Sequence, residues 1–394
     1  MRSIAALRSS SCKCYSLALT GTADLNPFVY SHPVPPADLV DREEETAALV
    51  GLAEGGHAAR LSAPRRYGKT SLLRKVKEDA EAAGMACVYV DLTRVVSLAD
   101  VADVIEEAYR RSLQGPLRRA AVLAIRSISN VAIRPGGVGV EVSGGAVKDA
   151  AARRLRQILD LPLRVHDATG TRTLVIFDEF QELLRAGEDL DGLLRSRIQH
   201  HTSEASYLYA GSHPGLMQQL FATEERPLFG QARPVALTPL RDADLGGFVA
   251  ARFEATGRDA GEALDPLLDV AAGHPQRAMM LAHHVWERTE PGTSADDPTF
   301  AAALAVAQAE ARDALQALWD RLPHSERVVL STVAAGRPPL NARALELAEV
   351  GKTTARVARD RLIAAGVLAD REGAIAFTDP LFPYFVGGLD ATDE

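Results

Sequence analysis

Ala63-Pro64-Arg65-Arg66-Tyr67-Gly68-Lys69-Thr70, running on into Ser71 and Leu72, is the stretch on which the reading of this sequence turns. It fits the phosphate-loop template, with alanine in the first glycine position. Such a loop joins a buried strand to a helix. Its backbone N–H groups wrap around phosphate oxygens, and the helix N-terminus adds a partial positive charge. Gly68 lets the backbone come close, Lys69 reaches the outer phosphates, and the Thr70 hydroxyl ligates magnesium. The flanks agree. Residues 58–62 read as a strand, and residues 71–83 as a helix with Leu72, Leu73 and Val76 on one face, stopped by Gly84. Ala63 is tolerable there if its φ is negative. A second Gly351-Lys352-Thr353 has Glu346 five residues before its glycine and no strand leading in, so it reads as a helix start.

Further along, the apolar run Thr173-Leu174-Val175-Ile176-Phe177 ends in Asp178-Glu179. In phosphate-loop proteins an acid at the tip of a buried strand holds the magnesium, usually through water. An adjacent glutamate can orient and deprotonate an attacking water as general base. The plain alternative is a strand-end aspartate capping the helix near Phe180. The phosphate loop upstream favours the catalytic reading.

Around these two motifs, residues 86–92, 173–177 and 206–210 are short, continuous and apolar, as parallel strands covered on both faces should be. Together with the intervening amphipathic segments they predict an α/β core with a parallel sheet over residues 25–240. Residues 26–36 are proline-punctuated, and a helical stretch opens at Arg42. The Gly-rich segment 131–145 reads as a small hairpin or flexible insertion. Beyond residue 240 the pattern turns helical (245–253, 264–271, 276–288 and 301–319), which predicts a helical lid over 241–320. The tail, 321–394, reads as helix, short helix, helix and a strand ribbon over 367–377 turned at Arg371-Glu372-Gly373, the order of a winged helix.

The 394 residues fit two or three domains of ordinary globular composition. A net charge of −8 gives no overall basic field towards nucleic acid. No apolar run approaches the ~20 residues of a membrane helix. The three cysteines, Cys12, Cys14 and Cys87, are neither a disulfide framework nor a zinc pattern, and fit a reducing cytoplasm. Residues 1–24 read as a disordered extension.

Taken together these motifs resemble the archaeal-type ATPases, a branch of the AAA+/STAND P-loop group related to replication-initiation ATPases. The resemblance runs from Asn26 to the C-terminus. It rests on Asn26-Pro27-Phe28, on Asp41-Arg42-Glu43-Glu44 as a Gly-Arg-Glu-Glu-like box, and above all on Pro64 to Leu72 with its paired arginines. It implies ATP with Mg2+ as cofactors. It also implies Phe28 and residues 40–42 (including Arg42) against the adenine, Ser212 in Gly211-Ser212-His213 as the sensor of the γ-phosphate, and Pro275 in Gly273-His274-Pro275 as the lid residue near the base. Arg277 reads as a surface arginine in preference to a second sensor. Family members carry arginine after Leu-Phe-Gly. Here Leu228-Phe229-Gly230 is followed by Gln231, with Arg233 beyond, so slow intrinsic turnover is expected.

Other residues are weighed and set aside. His200-His201 and His283-His284 read as surface or lid histidines and not as ligands, because neighbours on a helix do not share a face. Asp91 reads as a cap or loop contact, or a residue tuning Glu179. Met279, Met280 and Trp286 read as lid packing. Arg356, Arg359 and Arg361 of the third tail helix could meet DNA phosphates, but Asp360 lies among them and Asp370, Glu372 and Asp379 surround the wing. A protein-binding or intramolecular role, or self-association, is therefore expected ahead of DNA. The alternative is an ATP-regulated DNA-binding loader or regulator.

Overall fold

The computed structural model describes residues 25–132, 144–187, 189–371 and 373–390. Five strands form one parallel sheet: β1 (Ala59–Ser62), β2 (Ala86–Asp91), β3 (Thr173–Asp178), β4 (Ala205–Gly211) and β5 (Arg233–Ala236), in the order β2-β3-β4-β1-β5. Every residue of β3 and β4 is buried, because helices cover both faces. The period of two divides the strand residues between the faces. Val88, Val90, Val175, Phe177, Tyr207 and Tyr209 pack under helices Leu98–Ser112, Gly115–Ala132 and Gly144–Leu159. Leu61, Cys87, Leu174, Ile176, Leu208 and Ala210 pack under helices Glu43–Glu54 and Lys69–Ala82. This order puts β3 and β1 on either side of β4, so the C-terminal ends of three strands converge. That edge carries the phosphate loop, Asp178 and Ser212.

Strand β5 was not anticipated. It is four residues long, largely exposed and contains Pro234, so it carries no apolar run and suits only an edge. The Gly-rich segment is bounded more narrowly than expected. Residues 131–132 close one helix and 144–145 open the next, and the hairpin reading of 133–143 lies outside the described residues. The reading of residues 1–24 also lies outside them.

Beyond the sheet come helices Asp242–Ala255, Leu264–Ala271, Pro275–Arg288 and Asp297–Trp319. The tail follows as His324–Ala334, Ala342–Leu347 and Lys352–Ala364, then the antiparallel ribbon β6 (Leu368–Arg371) with β7 (Ala374–Phe377). Gly351 is the N-cap of its helix, as its lack of a leading strand implied. A last helix, Phe382–Asp390, was missed, since Pro383, Gly387 and Gly388 disguise it. Its Phe382 and Val386 complete an apolar cluster that continues without a break from Phe253 and Trp286 through Leu315 to Leu330 and Leu362.

The winged helix also docks on the sheet domain. Gly215, at the start of helix Pro214–Ala222, lies so close to Ala364 that a Cβ there would sit 2.6 Å from the Ala364 Cβ. Among the described residues no helix is long and apolar enough to cross a membrane.

Candidate functional site

The phosphate loop leaves β1 at Ala63, whose N–H donates to the Gly211 carbonyl at the end of β4 (3.3 Å). Ala63 is not among the positive-φ residues, so the methyl in place of hydrogen is accommodated. Gly68 has φ 82° and is the N-cap of helix Lys69–Ala82, a conformation that costs an L side chain roughly 1–2 kcal/mol. Arg66 adopts φ 66° without that freedom. Two non-glycine residues in the Asp41-Arg42 box, and Glu179 itself (φ 52°), share the left-handed region. Such conformations persist only where surrounding structure holds them, and they cluster at functional sites.

At the tip of β3, Lys69 forms an ion pair with Asp178 and stands 2.9 Å from Glu179 Oε1. Asp178 Oδ1 also accepts the Glu179 N–H (2.9 Å), and Oδ2 accepts the Tyr89 hydroxyl from neighbouring β2 (2.5 Å). Glu179 Oε2 accepts the Ser212 hydroxyl (2.6 Å) and the Gln181 amide (2.5 Å). Burial works against ionisation of Glu179, but the Lys69 charge and these hydrogen bonds outweigh it and hold its carboxyl below the usual range. Burial first, and then the Asp178 charge, push the Tyr89 phenol far up, so it remains a donor.

Lys69, Glu179 and Ser212 face a cavity of about 900 Å³, within the size range of small-ligand sites. Pro64, Arg65, Arg66, Gly68, Lys69, Thr70 and Ser71 line its phosphate end with Glu179 and Ser212. Arg42 and Pro275 line its far end. Ala63, Tyr67 and Asp178 lie behind the wall, buried. The chain before the first helix straps the cavity. Val34 N–H donates to Ser71 Oγ (3.1 Å), the Tyr30 hydroxyl to Glu310 (3.0 Å), and Arg252 to Asp38 (2.7 Å). Arg42 is committed within the protein, donating to Glu45 and to the Thr238 carbonyl (both 2.7 Å).

Phe28 departs from expectation. It is 1% exposed, packed 5.4 Å from the Phe253 ring in the lid core, while Pro27, Val29 and Tyr30 face the cavity. Arg277 departs further. It is a buried residue, 1% exposed, and grips Asp379 through Nε and Nη2 (2.9 and 2.5 Å). Asp379 is therefore no free acid of the wing: despite its burial, Arg277 holds its carboxyl below the usual range. Glu372 lies outside the described residues. Of the histidines, His201 is buried against Tyr207 (2.5 Å) and is no surface residue, and His284 is a buried lid residue. Asp91 makes a loop contact to Thr93 (2.9 Å).

Four interactions had no signal in the motifs: Tyr89 on Asp178, Gln181 on Glu179, Arg277 on Asp379, and a wing-to-loop contact. In the last, the Arg371 guanidinium stands near the Tyr67 phenol, lowering a pKa that burial raises. The Tyr67 ring in turn meets His274 edge-on at 5.1 Å. His274 caps helix Pro275–Arg288 by accepting Arg277 N–H on Nδ1 (3.3 Å), and burial pushes it down to about 4.

The donor set suits Mg2+, a hard cation that takes oxygen ligands: a threonine hydroxyl and carboxylates at the mouth of a phosphate loop. The lone ammonium of Lys69 stands between two acids, so the cluster has a negative surplus that a divalent cation would offset.

Among solved structures, a Walker-type ATPase of Pyrococcus abyssi superposes with a TM-score of 0.66 at 18% identity, over 91% of this chain and 99% of that one. The ORC2 protein of Aeropyrum pernix, in ADPNP–ADP complexes, superposes with a TM-score of 0.60 at 16% identity, over 93% of this chain and 98% of that one. The chain shares the α/β P-loop fold of these two proteins. No protein-family model matches the chain, and no curated protein does. The resemblance carried by the loop and the Asp178-Glu179 pair is thus matched at the level of the fold, over most of the chain.

Proposed function

We propose that the protein binds ATP with Mg2+ between sheet, strap and lid, hydrolyses it slowly, and acts as a switch read out by its winged helix. The carrying observation is Lys69 held between Asp178 and Glu179 on the cavity floor, with Ser212 on the same glutamate. Phosphate oxygens make charge-assisted hydrogen bonds as carboxylates do, and compete with Asp178 and Glu179 for Lys69. Their arrival draws the ammonium off the acids and frees Glu179 Oε1 to accept a proton. A water then attacks the γ-phosphorus while the bond to the β–γ bridging oxygen breaks, and its proton passes to Glu179. Thr70 and Asp178 would hold Mg2+, which supplies charge neutralisation at the phosphates.

Coupling runs through two joints. Ser212 and the His213 cap lead straight into the helix on which Ala364 docks, and Arg371 of the wing reaches Tyr67 of the loop. A ligand moves such a joint by contacting its two states differently, and the γ-phosphate contacts of Lys69 and Ser212 supply that difference. The docked winged helix supports the STAND-like reading, with a protein partner or a second copy as receiver in the cytoplasm. With Gln231 after Leu228-Phe229-Gly230, an arginine to stabilise the transition-state charge would have to come from another position, such as Arg233, or from that partner. DNA binding is the second reading, favoured by the exposed Arg356 and Arg361. It requires affinity that falls steeply with salt and with Arg356→Ala.

The deciding experiment is Mg2+-dependent ATP turnover and ATP binding by wild type and Glu179→Gln. Expected are retained binding and turnover reduced by about 100-fold or more in the variant. Absence of nucleotide binding in both proteins would overturn the reading.

A further inference from the structure

Gln181 is two residues beyond Glu179, in the short turn of helix that follows β3, yet its side chain folds back towards the active site. It is 4% exposed. Its Nε2 donates to Glu179 Oε2 at 2.5 Å, the same oxygen that receives the Ser212 hydroxyl at 2.6 Å. Its Oε1 is buried with no hydrogen-bond partner. A buried amide oxygen left unpaired is disfavoured, and structures keep one where something else is gained. Turning the amide over would satisfy nothing and would set oxygen against carboxylate, so the orientation is determined. Room for it is made by Gly211 at the end of β4, where a Cβ would lie 2.6 Å from Gln181 Oε1 and 2.5 Å from Met217. Two donors thus close on one carboxylate oxygen, and the backbone of Glu179 itself is left-handed, a conformation that needs such external support.

We propose that Gln181 is a positioning residue for hydrolysis: with Ser212 it clamps Glu179 Oε2, so that Oε1 alone turns to the cavity when Lys69 leaves for the phosphates. The inference rests on the reading of Glu179 as general base. The clamp divides the carboxylate into a held oxygen and a working one. One donor follows β3 and the other β4, while among the described residues the working oxygen carries the contact to Lys69 that nucleotide removes. Gly211 is part of the device although it touches neither nucleotide nor water.

The test is steady-state ATP turnover, KM for Mg·ATP and melting temperature for Gln181→Met, which keeps the volume and removes the donor. Gln181→Leu, which also removes the donor and adds no charge, serves should Gln181→Met fail to fold. Either should lower kcat about tenfold or more, with KM and melting temperature close to wild type. Gly211→Ala should reproduce the loss of kcat. In a Glu179→Gln background the Gln181 substitution should lower the residual rate no further. An unchanged kcat, or a loss of kcat that tracks melting temperature or persists in the Glu179→Gln background, would overturn the inference. If Glu179→Gln alone leaves turnover intact, the general-base reading itself fails and the clamp with it. That outcome differs from the one in which Glu179→Gln is inactive and Gln181→Met is fully active.

Discussion

The cavity lies beside two buried ion pairs built on opposite plans. At the phosphate loop one ammonium, Lys69, serves two carboxylates, Asp178 and Glu179, so the fully ionised cluster is left negative. At the lid one guanidinium, Arg277, meets one carboxylate, Asp379, through two hydrogen bonds, and the charges cancel. Uncompensated charge out of water is costly, whereas a matched bidentate pair is self-sufficient. The first arrangement is completed by something brought in from outside. The second is already complete and ties the lid helix Pro275–Arg288 to the segment between β7 and the last helix. One cluster is poised to change and the other to transmit.

The largest effect should come from breaking the complete pair on one side only. Arg277→Met leaves the half-buried Asp379 without its cation and should destabilise the protein by about 3 kcal/mol in denaturant unfolding. Arg277→Met combined with Asp379→Leu should recover most of that. A double variant as unstable as the single one would break the comparison, because a balanced joint can be replaced by packing and an unbalanced one cannot. Next comes Lys69→Ala, which removes the shared cation. ATP affinity should fall about 100-fold, ~3 kcal/mol by titration calorimetry. Unchanged affinity would mean that the incomplete cluster is not waiting for phosphate.

The two clusters also differ in how far the sequence disclosed them. Lys69, Asp178-Glu179 and Ser212 each end a strand or open a helix within a short local pattern, so their chemistry is written beside their structure. Arg277 and Asp379 are 102 residues apart, and nothing local to either announces the other. With acids around the ribbon, Arg277 read as a surface charge and Asp379 as part of a repelling wing. Phe28 failed for a related reason. Alternation along an irregular strap is not fixed by any period, and the lid core took the ring that was expected on the base. Gln181 was hidden differently: it sits beside the motif, but its partner is chosen by how the turn after β3 folds back under Gly211. Local motifs were legible, and pairings made by tertiary approach were not.

A milder test sharpens the role of the lid joint. His274 caps the helix that carries Arg277 and is held down to about 4 from the ordinary 6.5, chiefly by burial. The unfolded chain therefore takes up this proton as pH falls through about 6.5, while the folded protein refuses it until about 4. Stability is lost across that window, and the loss is complete below it. His274 accounts for about 3 kcal/mol of the decline. Asp379 and Glu179, both lowered, act in the same direction but below the usual carboxylate range. His274→Asn keeps a capping acceptor and should flatten the fall in stability between pH 6.5 and 4. An unaltered slope would place the pH sensitivity elsewhere, with buried His201 or His213 as its source.

The smallest expected effect returns to the incomplete cluster and asks how firmly its acids are aimed. Lys69 and the Glu179 N–H both take Asp178 Oδ1, so the Tyr89 hydroxyl on Oδ2 is what fixes the rotation of that carboxylate. Tyr89 can do this because β2 pairs with β3 in parallel register, with Asp91 opposite Asp178 and Tyr89 opposite Ile176. Tyr89→Phe removes a single, part-buried hydrogen bond. It should therefore cost only about 1 kcal/mol in unfolding. If Asp178 is to hold Mg2+, however, a carboxylate free to rotate should weaken Mg2+-dependent ATP binding several-fold while leaving Mg2+-free binding unchanged. A loss equal in both conditions would mean that Tyr89 only packs the strand. A loss confined to the Mg2+ condition would show that the unfinished cluster is oriented in advance for the ion that completes it.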